Sequence, residues 1–289
     1  MWFVYALVFA VTSSFSVLVA KKIMRNVDQY TCLLFSSIFT FPFLLTLSLL
    51  FYKVPKIDGP FWFSVVVGTA ISVSASILAY KAIRESEISL VNPISAFNPV
   101  FTAIISFFTL GERIDLRDMG GILLVVTGAY FLQLSKSKRN VLAPFKALLT
   151  HNGVRLSFVA YFLWAITPTF EKTAIFHTFP QNPPFAALAG QVMAIAIFAP
   201  LVLRLSKKPL EGVRASWKMF LVIGLLGGVG VTSAFIAYSL SPLGVVTAVF
   251  KLSMIIVPIL GWLFFKEKDI KERILGSLIM LLGVILLVT

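Results

Sequence analysis

Ten long apolar runs, separated by short stretches that carry charge or proline, dominate this sequence. Each approaches the roughly 20 residues that a helix needs to cross a hydrocarbon core of ~30 Å. Because backbone polar groups in lipid must be satisfied within each segment, every run should be helical. We therefore expect an all-α integral membrane protein with ten transmembrane helices. These segments 1 to 10 cover approximately residues 1–20, 30–51, 61–81, 88–110, 118–135, 155–176, 184–203, 217–239, 243–265 and 272–288.

The composition favours lipid over water as the solvent for most of the chain. Hydrophobic residues make up 58% of it, with 28 phenylalanines, against roughly 45–50% in soluble domains. A β-barrel is excluded because barrel strands alternate in polarity, whereas residues 274–288 are apolar on every face. The longest polar stretches, about 136–154 and 204–216, are too short to fold alone, so we expect no extramembrane domain.

The formal net charge of +13 does not indicate a nucleic-acid partner, because Lys and Arg are spread over the connections between apolar runs. There they act as interfacial anchors and as topology signals. Together with the segment ends that flank them, connections after odd-numbered segments hold nineteen of them, and connections after even-numbered segments hold five. The positive-inside rule then predicts that odd-numbered connections are cytoplasmic and that both termini are outside.

Residue types that usually carry catalysis or bind metals are scarce in the sequence. Cys32 is the only cysteine, and the two histidines, His151 and His177, lie far apart in connecting stretches. The sequence shows neither a CxxC pair nor a convincing catalytic cluster of His, Asp, Glu and Cys. We therefore expect no enzyme activity, no catalytic residues, no metal site and no cofactor.

The second half of the sequence repeats the pattern of the first. Tyr80 corresponds to Tyr238, and three further pairs share one offset: Glu112 with Glu267, Gly121 with Gly276, and Gly128 with Gly283. We expect two five-helix repeats, residues 1–140 and 141–289, within one membrane domain. An odd number of helices per repeat makes the copies enter the membrane from opposite sides, so the repeat should be inverted. Two near-equivalent halves are the geometry that alternating access to a central site requires.

These paired motifs make the chain resemble the drug/metabolite transporter superfamily, and within it the ten-helix EamA type. They are Gly111-Glu112 and Lys266-Glu267, each followed by a helix that contains two glycines seven residues apart. Segment 6 adds a further similarity, in residues Tyr161 to Ala165 and in Lys172. The resemblance implies an inverted bundle with segments 3, 4, 8 and 9 around a central cavity. It implies a secondary carrier for amino acids, other metabolites, drugs, sugar phosphates or nucleotide sugars. It also implies that both termini are inside, against the prediction from charge.

Lys251 is the strongest candidate for a functional side chain. It lies eight residues into segment 9 and fourteen before its end, too deep for its amine to reach either surface comfortably. A charge at that depth costs at least about 2.5–3.5 kcal/mol unless it faces water or a partner. It is either an anchor for an anionic group, such as a carboxylate or phosphate, or a packing ion pair or snorkelling residue. Similarly placed lysines in nucleotide-sugar and triose-phosphate members of the superfamily favour the anchor by analogy.

Polar residues of segments 4 and 6 are further candidates. Asn92 and Asn98 precede prolines, and their amides either bind substrate or satisfy the backbone carbonyls that those prolines free. Glu171 is the one carboxylate placed away from the first residues of a segment, so it is a candidate for proton coupling or for pairing with Lys251. If segment 6 ends one residue earlier, Glu171 is an ordinary interfacial acid.

Four other side chains could present polar groups to a cavity, although such residues more often pack or lie at the interface. They are Tyr80, Tyr238, Trp164 and Gln191. Glu112 and Glu267, just past segments 4 and 9, are expected to act in structural capping or orientation rather than in transport.

The sequence thus predicts a secondary transporter, an exporter or exchanger, for a small polar or anionic metabolite such as an amino acid. Its partners would be that solute and the lipid bilayer, in a prokaryotic plasma membrane, as a monomer or homodimer. The alternative is a transporter-like receptor or a lipid-handling protein that carries no metabolite.

Overall fold

The computed structural model describes residues 1–85, 92–134, 143–206, 209–265 and 274–288, and these are almost entirely helical. The α-helices are α1 (Trp2–Ile23), α2 (Gln29–Phe51), α3 (Gly59–Glu85), α4 (Asn98–Leu110), α5 (Leu116–Leu134), α6 (Ala143–Thr150), α7 (Asn152–Phe176), α8 (Pro183–Leu205), α9 (Pro209–Leu240), α10 (Leu243–Phe250), α11 (Ser253–Phe265) and α12 (Ile274–Val288). A 3-10 helix, Asn92–Phe97, precedes α4, and two short strands, β1 (Lys56–Ile57) and β2 (Thr178–Phe179), pair antiparallel.

Helices occupy all ten apolar segments, and within the described ranges seven are long and apolar enough to cross a membrane. Crossing by all ten remains a prediction. The main difference in bounds is α9, which begins at Pro209 rather than near residue 217. Glu211 and Arg214 precede the apolar run in the sequence, but charged residues with good helix propensity extend a helix beyond the hydrocarbon.

Helix lengths repeat between the two halves of the chain. Helices α2 and α8 each contain 23 residues, and the side chains of Asp28 and Asn182 accept hydrogen bonds from the first backbone N–H groups. Helices α4 and α11 each contain 13 residues, and they begin and end at the offset that relates Glu112 to Glu267. The same local structure therefore recurs at corresponding positions.

In space the chain forms two compact units, each built from parts of both halves. The first unit comprises residues 1–70 and 170–240, and the second comprises residues 71–169 and 241–289. In the first, α9 packs against α1, α2 and α8, and α8 also packs against α2. Glycines of α9 allow close approach to α2, because a methyl group built on Gly224, Gly227 or Gly228 would collide with Phe39, Thr40 or Phe43.

The connections of the first unit are tied together where β1 meets β2. The Nδ1 atom of His177 lies 2.8 Å from a carboxylate oxygen of Asp58. The Asn182 amide, besides capping α8, donates to the Lys53 carbonyl at 3.2 Å. The connection between α2 and α3 is thus held to the connection between α7 and α8.

In the second unit, α5 and α12 pack through paired glycines. A methyl group built on Gly128 would lie 2.6 Å from the Gly276 carbonyl oxygen, and one built on Gly121 would lie 3.0 Å from that of Gly283. Because the order of contacts reverses, the two helices run antiparallel. The repeat offset also exchanges the two contacts, since it relates Gly121 to Gly276 and Gly128 to Gly283.

Candidate functional site

Lys251 lies at a break in segment 9, between α10 and α11. Its backbone N–H donates to the Ala248 carbonyl at 3.1 Å, and the Met254 N–H donates to the Lys251 carbonyl at 2.8 Å. These are i to i−3 bonds of the 3-10 type, a pattern that often marks a functional hinge inside a helix. Segment 9 is thus two half-helices rather than one, and the depth of Lys251 in the membrane remains a prediction.

The electrostatics of this break suit a bound ion pair. The C-terminal end of α10 carries partial negative charge, which favours the Lys251 ammonium, and the N-terminal end of α11 carries partial positive charge, which favours an anion. Lys251 is half-buried, and within its unit no described acidic side chain forms an ion pair with it. The described residues of that unit thus leave the ammonium available to an external anion.

Segment 4 changes its helical geometry at the corresponding position. The 3-10 helix ends at Phe97 and α4 begins at Asn98, which the repeat offset relates to Ser253, the first residue of α11. Sequence reasoning missed Ser253, whose hydroxyl donates to the Phe250 carbonyl at 2.8 Å within the break. Aligning the two repeats at Asn98 would have singled it out.

Asn98 joins α4 to α7. Its amide nitrogen donates to the Tyr161 carbonyl at 3.0 Å, and one turn later the Thr102 hydroxyl donates to the Ala165 carbonyl at 3.2 Å. The Asn98 amide thus binds a backbone carbonyl, as in the alternative to substrate binding, but this carbonyl belongs to α7 and is not one that the adjacent proline frees. The amide oxygen of Asn98 remains a candidate for substrate.

Of the other sequence-predicted residues in the second unit, the structure describes the side chain of Trp164 but not those of Tyr80 and Asn92. Trp164 is half-buried, and its ring centroid lies 5.6 Å from that of Tyr161. Tyr80 and Asn92 lie in the helix α3 and in the 3-10 helix, but their side chains are outside the described part of the structure. Their proposed contacts with substrate therefore remain predictions.

Three predicted residues belong to the first unit. Glu171 is half-buried more than a turn before the end of α7, so it does not stand at the helix terminus. Tyr238, buried in α9, lies within electrostatic range of Glu171. Gln191 is half-buried in α8. The neighbouring Lys172 is buried, with its ammonium 5.6 Å from the centroid of the Phe176 ring.

Glu112 caps a helix, as expected from the sequence. Its carboxylate accepts a hydrogen bond of 2.8 Å from the backbone N–H of Leu243, the first residue of α10. A negative side chain at this position also interacts favourably with the helix dipole. The end of segment 4 is thereby attached to the start of segment 9. Glu267, its counterpart, lies outside the described residues.

His177 has a structural partner, the Asp58 carboxylate. The hydrogen bond from His177 holds the pKa of the Asp58 carboxyl below its ordinary value. In the described ranges no three His, Cys, Asp or Glu side chains gather into a possible metal site.

Seven long apolar helices and a repeated architecture define the chain as a multi-pass membrane protein built from two similar halves. The sequence profile of the EamA-like transporter family matches residues 1–134 and 151–289, once in each half. The chain therefore belongs to that family of membrane transporters, within the drug/metabolite transporter superfamily.

Comparison with solved structures supports the fold. A crystal structure described only as that of a protein superposes with a TM-score of 0.78, covering 99% of this chain and 96% of the other. The two sequences are 11% identical, so the likeness concerns the fold alone. A search of curated protein sequences finds no match.

Proposed function

We propose that this protein is a secondary transporter that exports or exchanges a small anionic or zwitterionic metabolite by alternating access. The observation that carries the proposal is the position of Lys251 at the break between α10 and α11. Discontinuous helices at corresponding positions of two repeats are the arrangement in which transporters bind substrates. The carboxylate or phosphate of the substrate binds the Lys251 ammonium beside the N-terminal end of α11.

In the proposed mechanism the two halves are inverted copies, which gives two near-equivalent states. Two features support inversion: the antiparallel packing of α5 on α12, and the exchange of the Gly121–Gly283 and Gly128–Gly276 contacts by the repeat offset. The 3-10 turns in segments 4 and 9 supply a hinge in each half. In this scheme Asn98 and Trp164 contribute polar contacts beside Lys251. Glu171 takes up and releases the coupling proton, and Gln191 and Tyr238 stay candidates from the sequence.

A ligand-stabilisation screen on the purified protein tests the anion anchor. Amino acids, phosphorylated metabolites and neutral amides of the same acids are compared by the shift in melting temperature. An anionic ligand should stabilise the wild type more than it stabilises Lys251→Ala. It should also stabilise the wild type more than its own neutral amide does. Lys251→Arg should retain part of the shift. Equal stabilisation of Lys251→Ala and the wild type would exclude the anchor.

Counterflow in proteoliposomes separates a carrier from a receptor. Vesicles loaded with the stabilising ligand should accumulate its radiolabelled form transiently, and Lys251→Ala should abolish this accumulation. A ligand that stabilises the protein but never exchanges across the bilayer would favour the alternative, a transporter-like receptor.

A further inference from the structure

A long stretch of the chain carries only positive charge. Between Asp118 and Glu171 the sequence contains no acidic residue, while it contains Lys136, Lys138, Arg139, Lys146 and Arg155. The short helix α6 lies in this stretch, in the connection between segments 5 and 6. Because both segments are expected to cross the bilayer, this connection lies at a membrane surface.

One face of α6 packs against other elements of the second unit. The ring of Phe145 lies 5.7 Å from the rings of Phe97 and Tyr130, measured between centroids. Leu148, one turn later, packs against the buried Ile94 and Val154. These contacts fix the rotation of α6 about its axis, so Lys146 and Leu149 have a defined direction.

The neighbouring face of α6 presents a cation beside an apolar side chain. Lys146 is exposed and Leu149 is 84% exposed, and residues three apart in a helix lie on the same face. A large aliphatic side chain so open to its surroundings, paired with a lysine, is typical of helices that lie in the membrane interface. The acid-free stretch around it adds attraction for anionic headgroups.

We propose that α6 is an interfacial anchor for anionic phospholipid. The Lys146 ammonium binds the phosphate of the headgroup, and Leu149 enters the boundary between headgroups and acyl chains. The surrounding basic residues raise the local concentration of anionic lipid. This site is independent of the transported substrate.

The anchor is tested by titrating the detergent-purified full chain with phosphatidylglycerol, and in parallel with phosphatidylcholine of the same acyl chains. Phosphatidylglycerol should raise the melting temperature more than phosphatidylcholine. Lys146→Gln should need about fivefold more of it for half the effect, as expected for about 1 kcal/mol per basic residue near the surface. Lys56→Gln, an exposed lysine of β1, should behave as the wild type.

Three results would overturn the proposal. These are equal stabilisation by the two lipids, an unchanged titration for Lys146→Gln, or equal stabilisation by glycerol phosphate without acyl chains, which would indicate a site for free phosphate.

A second measurement does not depend on the stability of the lysine variant. Leu149→Cys, in a Cys32→Ala background, is labelled with an environment-sensitive fluorophore and placed in nanodiscs that contain phosphatidylglycerol. Its emission should be blue-shifted relative to the same label at Lys56→Cys. Emission typical of bulk water at position 149 would exclude insertion.

Discussion

Glu112 and Leu243 are 131 residues apart in the sequence, and a hydrogen bond of 2.8 Å joins the carboxylate of one to the backbone N–H of the other. The first member of a repeated glutamate pair thus fixes the N-terminus of α10, the half-helix that Lys251 follows. The position of the proposed anion anchor therefore depends on a residue outside the apolar segments.

We expect Glu112→Ala to destabilise the protein by about 0.5–2 kcal/mol, the usual cost of losing an N-terminal cap. Glu112→Gln keeps an acceptor oxygen but loses the charge, so it should lose less. Thermal unfolding in detergent measures both variants. Arg113→Ala, next to it and exposed, is the control and should stay within about 0.5 kcal/mol of the wild type. Equal stability of Glu112→Ala and Arg113→Ala would argue against the cap.

The packing of α5 on α12 predicts opposite effects for two glycines of the same helix. In Gly128→Ala the new methyl group meets backbone atoms of Gly276 and Met280 at 2.6 Å, so the helices must separate. We expect a loss of about 1–3 kcal/mol, as for other overpacked sites. In Gly120→Ala the methyl group meets only a Leu286 methyl at 3.4 Å.

Gly120→Ala should therefore be neutral or stabilising, because alanine favours the helix by up to about 1 kcal/mol. Both variants are compared with the wild type by thermal unfolding in the same detergent. If Gly128→Ala were as stable as Gly120→Ala, the close approach of the two backbones would be wrong.

The Asp58–His177 contact predicts a dependence of stability on pH. Because the pKa of Asp58 is lowered in the folded protein, its carboxylate stabilises the fold above the ordinary value of about 3.9, and this contribution is lost as the pH falls through the lowered pKa. Melting temperatures from pH 7 to pH 3 should fall more steeply for the wild type than for Asp58→Asn. His177→Gln should also flatten the acid side of the profile. Parallel profiles for all three proteins would show that the contact contributes nothing.

Much of the fold could be predicted because its determinants are regular patterns along the chain. Apolar length located the ten helical segments, and the constant offset of the paired glutamates and glycines located the repeat. Capping by Glu112 followed from its place just past segment 4. Helix α6 was missed because eight residues are too few for a search based on spanning length.

The candidate site was only partly predictable, because several contacts depend on tertiary structure. The break at Lys251 contains neither glycine nor proline, so no local signal marks it. Asn98 donates to a carbonyl 63 residues away, and His177 pairs with an acid 119 residues away. A lysine in the middle of an apolar segment, in contrast, is conspicuous in the sequence because of its desolvation cost.

Inversion of the repeats predicts that corresponding connections lie on opposite sides of the membrane. Arg25→Cys, before α2, and Gln181→Cys, before α8, are both exposed positions and can be made separately in a Cys32→Ala background. A membrane-impermeant maleimide should label only one of them in intact cells and both after lysis. Labelling of Gln181→Cys would agree with the charge distribution, and labelling of Arg25→Cys with both termini inside. Labelling of both in intact cells would contradict inversion.

The most direct test of the central claim is the accessibility of position 251. In Lys251→Cys with Cys32→Ala, reconstituted in liposomes, a charged, water-soluble thiosulfonate should react with the thiol. In other variants of the site, such as Ser253→Cys, the ligand found in the stabilisation screen should protect the thiol from this reagent. A water-filled, ligand-binding chamber at the break between α10 and α11 predicts this reaction and this protection. Reaction with lipid-soluble maleimide alone would place position 251 against acyl chains and would contradict the account.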